Sequence, residues 1–238
     1  MNYHLTPLSD HGIIIELGQE INTETFSHVQ VISTYLEEQP FQWMIEYVPA
    51  FTTVTIYYDP KTILLHHSPH TLPFDYVKKQ VSKMLNLLQS YARVTPSIIE
   101  VPVCYGGEWG PDIEIVASRN HLSVEEVIRI HTSTRYQVYM IGFAPGFPYL
   151  GGLPKELATP RKSSPRLAIP AGSVGIAGNQ TGIYPLETPG GWQIIGNTPL
   201  QLFRPMEDPP CLLKAGDQII FKSISKEEFH QWEDKLQV

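Results

Sequence analysis

Residues 139–153 read YMIGFAPGFPYLGGL. Four glycines and two prolines are interleaved here with Phe143, Phe147 and Tyr149. No helix tolerates that density, because proline lacks the backbone donor and glycine gives up most of its conformational freedom on ordering. The bias extends outward. From the strand-like run Tyr136–Phe143 to Pro210 the chain carries twelve of its 21 prolines, and Gly142–Gly196 holds eleven of its 17 glycines. Short strands joined by tight turns satisfy such a composition, which predicts a barrel or a sandwich. Asp217–Ile224 reads as the strand that closes it.

Helices flank this β-rich segment. A short one is expected near Asp112–Ala117 and another at Ser123–His131, where Ser123 and Glu126 have capping-box spacing. Ser225 and Glu228 repeat that spacing at the start of a C-terminal helix, Ser225–Leu236.

The first hundred residues follow a different pattern. Gly12–Leu17, Trp43–Ala50, Thr53–Tyr58 and Ser97–Val103 read as strands. Thr23–Glu37 places Phe26, Val29, Ser33 and Leu36 at helical spacing, and Phe74–Leu88 does the same with Val77, Val81, Met84 and Leu85. The order β-α-β-β-α-β predicts a ferredoxin-like domain, two helices on one face of a four-stranded antiparallel sheet. The expected fold class is therefore α+β and mainly β, with a ferredoxin-like domain in residues 1–100 and a β-barrel or sandwich domain in residues 101–238.

Composition excludes several function classes. The chain has 238 residues, 42% hydrophobic and 17% charged, with a net charge of −7. Neither disorder nor a nucleic-acid partner fits, since no Lys/Arg run could neutralise a row of phosphates. Met1–Thr6 lacks a signal-peptide pattern and no run is long enough to span a membrane, so a cytoplasmic location is expected. Cys104 and Cys211 stand alone, without a C-x-x-C partner, and are expected to stay reduced. The run His66-His67-Ser68-Pro69-His70 has no Cys or carboxylate cluster beside it and reads as a loop, not a metal site.

Candidate site residues concentrate in the Gly/Pro-rich segment. Phe147 and Tyr149 either line a groove or fill a core, and the residues allow both. Arg161 and Arg166 flank Lys162-Ser163-Ser164-Pro165 and suit a carboxylate or phosphate, or else intrachain pairs. Ser173, Gln180 and Tyr184 bring hydrogen-bonding groups on short turns. Trp192, after Gly190-Gly191, either walls a pocket or is buried. His131 lies on the apolar stripe of its helix; packing explains it, and acid–base work near neutral pH is the alternative. ATP loops, G-x-S-x-G elbows and H-E-x-x-H pairs are missing from the sequence.

Several phrases in fixed order carry a resemblance: YMIGFAPGFPYLGGL (139–153), Thr159-Pro160-Arg161, PRLAIPAGSVGIAGNQTGIYP (165–185) and PGGWQIIGNTPL (189–200), preceded by VPVCYGGEWGPDI (101–113). Together they resemble the family of KipI and the 5-oxoprolinase B-subunit, which is related to allophanate hydrolase subunit 1. The resemblance implies a cyclophilin-like barrel and a non-autonomous subunit of an ATP-dependent lactam hydrolase. That enzyme would work with KipA-like and LamB/YcsF-like partners to open 5-oxoproline to glutamate, with ATP bound in the assembled complex and not by this chain alone. It also implies an alternative, inhibition of sporulation histidine kinase autophosphorylation through the C-terminal domain. Many members of this family have Gly-Arg-Thr-Pro where this chain has Gly196-Asn197-Thr198-Pro199. Prolyl isomerisation does not follow from a cyclophilin-like fold.

Overall fold

A computed structural model describes residues 2–20, 22–66, 71–88 and 97–236. The run from His67 to His70 lies outside these described residues. The chain divides into two compact units, Met1–Thr95 and Pro96–Val238.

In the first unit, β1 (His4–Leu8), β2 (Gly12–Glu16), β3 (Met44–Pro49) and β4 (Thr53–Tyr58) form an antiparallel sheet in the order β1-β2-β4-β3. Alternation decides which face is buried: Ile13 and Ile15 of β2 and Val54, Ile56 and Tyr58 of β4 are fully covered. Helices α1 (Thr23–Glu38) and α3 (Pro73–Leu88) pack against the sheet, and Asn22 caps α1 by accepting the Thr25 N–H at 2.8 Å. The α3 stripe Val77, Val81, Met84, Leu85 and Leu88 is buried as its spacing requires. A further short helix, α2 (Pro60–His66), buries Ile63 alone, too little to announce itself by periodicity.

One strand assignment is corrected. Ser97–Val103 does not complete this sheet; from Ile98 onward it belongs to β5 (Ile98–Tyr105), a barrel strand of the second unit. The edge position beside β2 is taken by β1, from the other end of the unit, so the order is ββαββαα and not βαββαβ. The physical reason is that β1 carries a single buried residue, Leu5, and Pro7, and so gives almost no strand signal. The apolar Val101 and Val103 of β5 fit either sheet.

The second unit is a closed seven-stranded barrel. Its strands are β5, β6 (Arg135–Ile141), β7 (Pro148–Gly151), β9 (Ser173–Ala177), β10 (Gln180–Ile183), β12 (Gln193–Asn197) and β13 (Gln218–Ser223), in the order β10-β7-β6-β13-β5-β12-β9. Val101, Val138, Leu150, Val174, Ile176, Ile183, Ile195 and Phe221 fill one core with residues of α4 (Ile113–Arg119) and α5 (Val124–Thr132). The expected capping box on α5 is formed: Glu126 N–H donates to Ser123 Oγ and Ser123 N–H to Glu126 Oε2. Ser225 and Glu228 do the same ahead of α6 (Lys226–Leu236). A separate two-stranded ribbon, β8 (Arg166–Ile169) with β11 (Thr188–Gly190), stands outside the barrel.

Candidate functional site

The ribbon creates the site. Beside it a satellite apolar cluster, distinct from the barrel core, gathers Phe147, Ile169, Ala177, Tyr184, Trp192 and Ile194. Phe147 is its hub, meeting Tyr149 at 5.0 Å, Tyr184 at 5.3 Å, Phe143 at 5.5 Å and Trp192 at 5.6 Å, all edge-on. Edge-to-face contacts let each ring's positive rim meet a neighbour's negative face, which fixes the rings' orientation as well as burying them. Gly190 is needed here: a Cβ on it would collide with the Tyr184 hydroxyl oxygen, so only glycine lets the ribbon approach this closely.

These rings line an open cleft of about 310 Å³, completed by Arg161, Pro165, Pro189, Gly190 and Gly191. No carboxylate is among its lining residues. Burial pushes the Tyr184 hydroxyl up to about 12, so it stays protonated at neutral pH. Phe143 stands at the rim, 67% exposed and at φ 68°, in the left-handed region. That backbone costs an L-residue about 1–2 kcal/mol, and glycine would recover most of it while adding about 0.5–1 kcal/mol of chain entropy to the unfolded state. Deleting the ring also loses its edge contact with Phe147, about 0.5–1.5 kcal/mol, so Phe143→Gly is expected to change stability by no more than about 1 kcal/mol. It should also weaken whatever the cleft binds. Urea unfolding and ligand titration of the same variant check both, and a loss of more than about 2 kcal/mol would contradict the strain argument.

A buried acid lies behind the loop that carries Arg161. Asp112, 2% exposed, accepts hydrogen bonds from Arg166 Nη1 at 2.7 Å, Arg166 Nη2 at 2.8 Å, Lys162 Nζ at 3.0 Å and the Ile194 N–H at 2.7 Å. Burial alone would raise this carboxyl, but the bonds from Arg166, the Ile194 N–H and Lys162 outweigh it and hold it below the usual carboxylate value. The loop is also stitched through its backbone: Lys162 N–H donates to the Gly191 carbonyl at 2.7 Å, and Gln193 Nε2 to the Pro160 carbonyl at 3.0 Å. Gly110 makes the approach possible, since a Cβ there would collide with the Ile195 carbonyl oxygen.

The expected site residues are thus divided. Phe147, Tyr149, Arg161, Tyr184 and Trp192 converge on the aromatic cleft. Arg166 and Ser173 line a second cleft of about 360 Å³, with Trp109, Phe229, Ile194 and Asn197. Asn197 there donates to the Ala171 carbonyl at 3.0 Å. Gln180 lies on β10 and lines neither cleft. Trp192 is 5% exposed and lines the aromatic cleft with one face of its indole covered by the cluster.

His131 is in the barrel core, fully buried, with its ring stacked at 4.4 Å on Phe221. The Thr181 hydroxyl donates to the Gly175 carbonyl at 2.9 Å, so it accepts from His131 Nε2 at 3.1 Å; Nδ1 in turn accepts from the Tyr105 hydroxyl at 2.7 Å. Both ring nitrogens are satisfied in the neutral form. Burial pulls the imidazole down to about 3. It lines neither cleft and ties α5 to β5 and β10.

Sequence reasoning missed Asp112. It follows Gly110-Pro111 just before α4, where an aspartate reads as a helix cap, yet its side chain makes no capping bond because the carboxylate is occupied by partners 50 to 82 residues away. No helix among the described residues is long and apolar enough to cross a membrane, and no cluster of metal-ligating side chains occurs among them. Both cysteines are unpaired.

The family described as carboxyltransferase domain, subdomain C and D, matches residues 3–213. Over 237 residues the chain is 52% identical to the 5-oxoprolinase B-subunit of Bacillus subtilis strain 168, covering 99% of this chain and 98% of that one. It is 38% identical over 216 residues to the 5-oxoprolinase B-subunit of Escherichia coli O157:H7, covering 90% and 93%. Among solved structures, the protein TTHA0988 superposes with a TM-score of 0.74 at 33% identity, covering 90% of this chain and 40% of that one, so this chain spans well under half of that protein. The urea amidolyase of Kluyveromyces lactis shares the fold over 96% of this chain and 15% of its own length, with a TM-score of 0.68 at 20% identity. With whole-length similarity on both sides to the two bacterial relatives, the chain belongs to the 5-oxoprolinase B-subunit family.

Proposed function

We propose that this protein is the B-type component of a multi-subunit, ATP-dependent 5-oxoprolinase that opens 5-oxoproline to glutamate. KipA-like and LamB/YcsF-like subunits would be its partners, and its barrel unit would be the cyclophilin-like domain. The observation that carries this reading is the aromatic cleft with Arg161 on its lining and no carboxylate. A small ring acid has two needs, a flat apolar surface and a cationic fork for its carboxylate, and the cleft offers both. Opening an unstrained amide also needs activation of the carbonyl oxygen. ATP would supply that by phosphorylation in the assembled complex, which agrees with the missing nucleotide loop in this chain. Arg161 would hold the carboxylate and the rings would orient the lactam, while water is kept from the apolar wall.

The assembled subunits are expected to form glutamate only with both ATP and 5-oxoproline present. Arg161→Gln should raise the KM for 5-oxoproline about 10- to 100-fold, the range of one charge-assisted contact of about 1.5–3 kcal/mol, with kcat changed less. Absence of glutamate formation with both partners present would end the reading. The exposed ring of Phe143 at the cleft rim favours a second role, docking to a histidine kinase. Unchanged kinase autophosphorylation at saturating protein would remove it.

A further inference from the structure

The second cleft carries an ammonium of the chain's own against its lining. Glu108 and Trp109 both line it, and Lys226 of α6 meets the two together: Nζ lies 2.8 Å from Glu108 Oε1 and 5.0 Å from the centroid of the Trp109 ring. A carboxylate beside an indole face suits an ammonium, because one supplies charge and the other the negative face of its ring. The bond from Lys226 holds the Glu108 carboxyl below the usual carboxylate value, so it is ionised at neutral pH. The loop that presents the pair is pinned at its ends. Gly106 and Gly107 follow β5 at φ 72° and 53°, Gly106 N–H donates to the Ile195 carbonyl at 3.1 Å, and Gly110 N–H donates to the Gly106 carbonyl at 2.9 Å. Lys226 is less firmly placed. It is the first residue of α6, where the helix dipole disfavours a cation. Its side chain is 57% exposed and that of Glu108 66%. Among the described residues the ammonium makes a single hydrogen bond and Glu108 Oε2 makes none. Exposed pairs of this kind are weak and exchange readily. Phe229, the one buried residue among those described in α6, packs 5.1 Å from Trp109 and anchors the helix without Lys226.

We propose that Glu108 and Trp109 form an ammonium-binding site at the second cleft, filled at rest by Lys226 and open to a primary alkylammonium ligand that displaces it. The rest of the lining sets the ligand's shape and charge. Pro111, Ile169, Pro170, Ala171 and Ile194 offer an apolar surface to its stem, and Ser173 and Asn197 add neutral hydrogen-bonding groups. Glu108 is the single carboxylate on the lining, whereas Arg166 brings a cation whose fork is already given to Asp112. A second ammonium on the ligand would therefore find no acid of its own and would meet Arg166. The site takes a monoamine with an apolar stem in preference to a diamine. A free amine and a protein's lysine side chain share that chemistry. No residue lines both clefts, so the ammonium site is separate from the aromatic cleft and from the acid assigned to it.

The test titrates the full chain by calorimetry with n-pentylammonium, using 1-pentanol as the uncharged control and 1,5-diaminopentane as the doubly charged one. Pentylammonium should bind at least about fivefold tighter than pentanol and about threefold tighter than the diamine. Glu108→Gln should weaken pentylammonium at least about fivefold and leave pentanol unchanged. Lys226→Met keeps the stem and removes the charge. It should strengthen pentylammonium about three- to tenfold, the factor by which a tethered competitor present about 70–90% of the time lowers an apparent affinity. In the double variant Glu108→Gln, Lys226→Met that gain should vanish, since no carboxylate is left to be freed. Glu108 and Lys226 are both exposed, so none of these variants puts the fold at risk. Tighter binding of Nα-acetyl-lysine methylamide than of pentylammonium would assign the site to a protein lysine, and the reverse order to a free amine. Unchanged or weaker pentylammonium binding in Lys226→Met would overturn the proposal, as would equal weakening of pentylammonium and pentanol in Glu108→Gln, which would leave an apolar cleft without charge recognition.

Discussion

Acidification from pH 6.5 to pH 4 is expected to cost the native state about 3 kcal/mol through His131 alone. Burial holds this imidazole neutral down to about pH 3, whereas in the unfolded chain it protonates near its ordinary value of 6.5. Between those limits the unfolded state binds a proton that the folded state refuses, so the balance shifts by about 1.4 kcal/mol per pH unit. Above pH 6.5 the contribution is fully present; it falls away as the pH drops toward 3. Asp112, whose carboxyl is held low, adds a loss of the same sign, but only in the carboxylate range. Comparing wild type with His131→Gln isolates the histidine, because glutamine still offers a donor and an acceptor to Thr181 and Tyr105 but does not titrate. Urea unfolding at several pH values should show the two stability curves converging as pH falls from 6.5 to 4. Parallel curves would mean that the ring is protonated inside the fold.

Trp192→Ala is expected to destabilise the protein by about 3–4 kcal/mol and to abolish cleft binding. The indole is 5% exposed and stands edge-on to Phe147 at 5.6 Å and to Tyr184 at 6.4 Å. Its removal leaves a void that Phe147 cannot fill without losing its own contacts to Tyr149 and Phe143. Because the cluster is separate from the barrel core, the loss should be local: hydrogen exchange should quicken in the ribbon and in β12 while α5 and β13 keep their protection. Trp192→Phe should cost about 1.5 kcal/mol or less and retain binding in part. A Trp192→Ala protein of wild-type stability would mean that the cluster is not packed as described.

Legibility in the sequence follows from range. The capping boxes at Ser123 and Ser225 and the buried stripe of α3 are set by neighbours three or four residues away, and the residue string suffices. The split of Phe147, Tyr149, Arg161, Tyr184 and Trp192 from Ser173 and Arg166 is not legible, because the ribbon beside the two clefts is a pairing between residues about twenty apart with no turn signature of its own. Arg161 and Arg166 are equivalent as letters. They differ only in that one meets Asp112, 54 residues earlier in the chain, and the other does not. The strand Ile98–Tyr105 is hard to assign for the same reason: its period fits two sheets, and the choice is made by β12 and β13.

Chain order makes β5 wait for its partner during synthesis. Ile98 lies beside Gln218, a pairing about 120 residues apart, and β13 runs parallel to β5. The sheet of the first unit needs only residues up to Tyr58, and its helices only those up to Leu88. It can therefore be complete on the ribosome while the barrel still lacks its closing strand. Until Gln218–Ser223 emerges, β5 and β6 each present a free edge, and contacts of this range are expected to make barrel closure slower than folding of the first unit. Truncations that end before Gln218 are thus expected to leave the first unit native and the second exposed to aggregation.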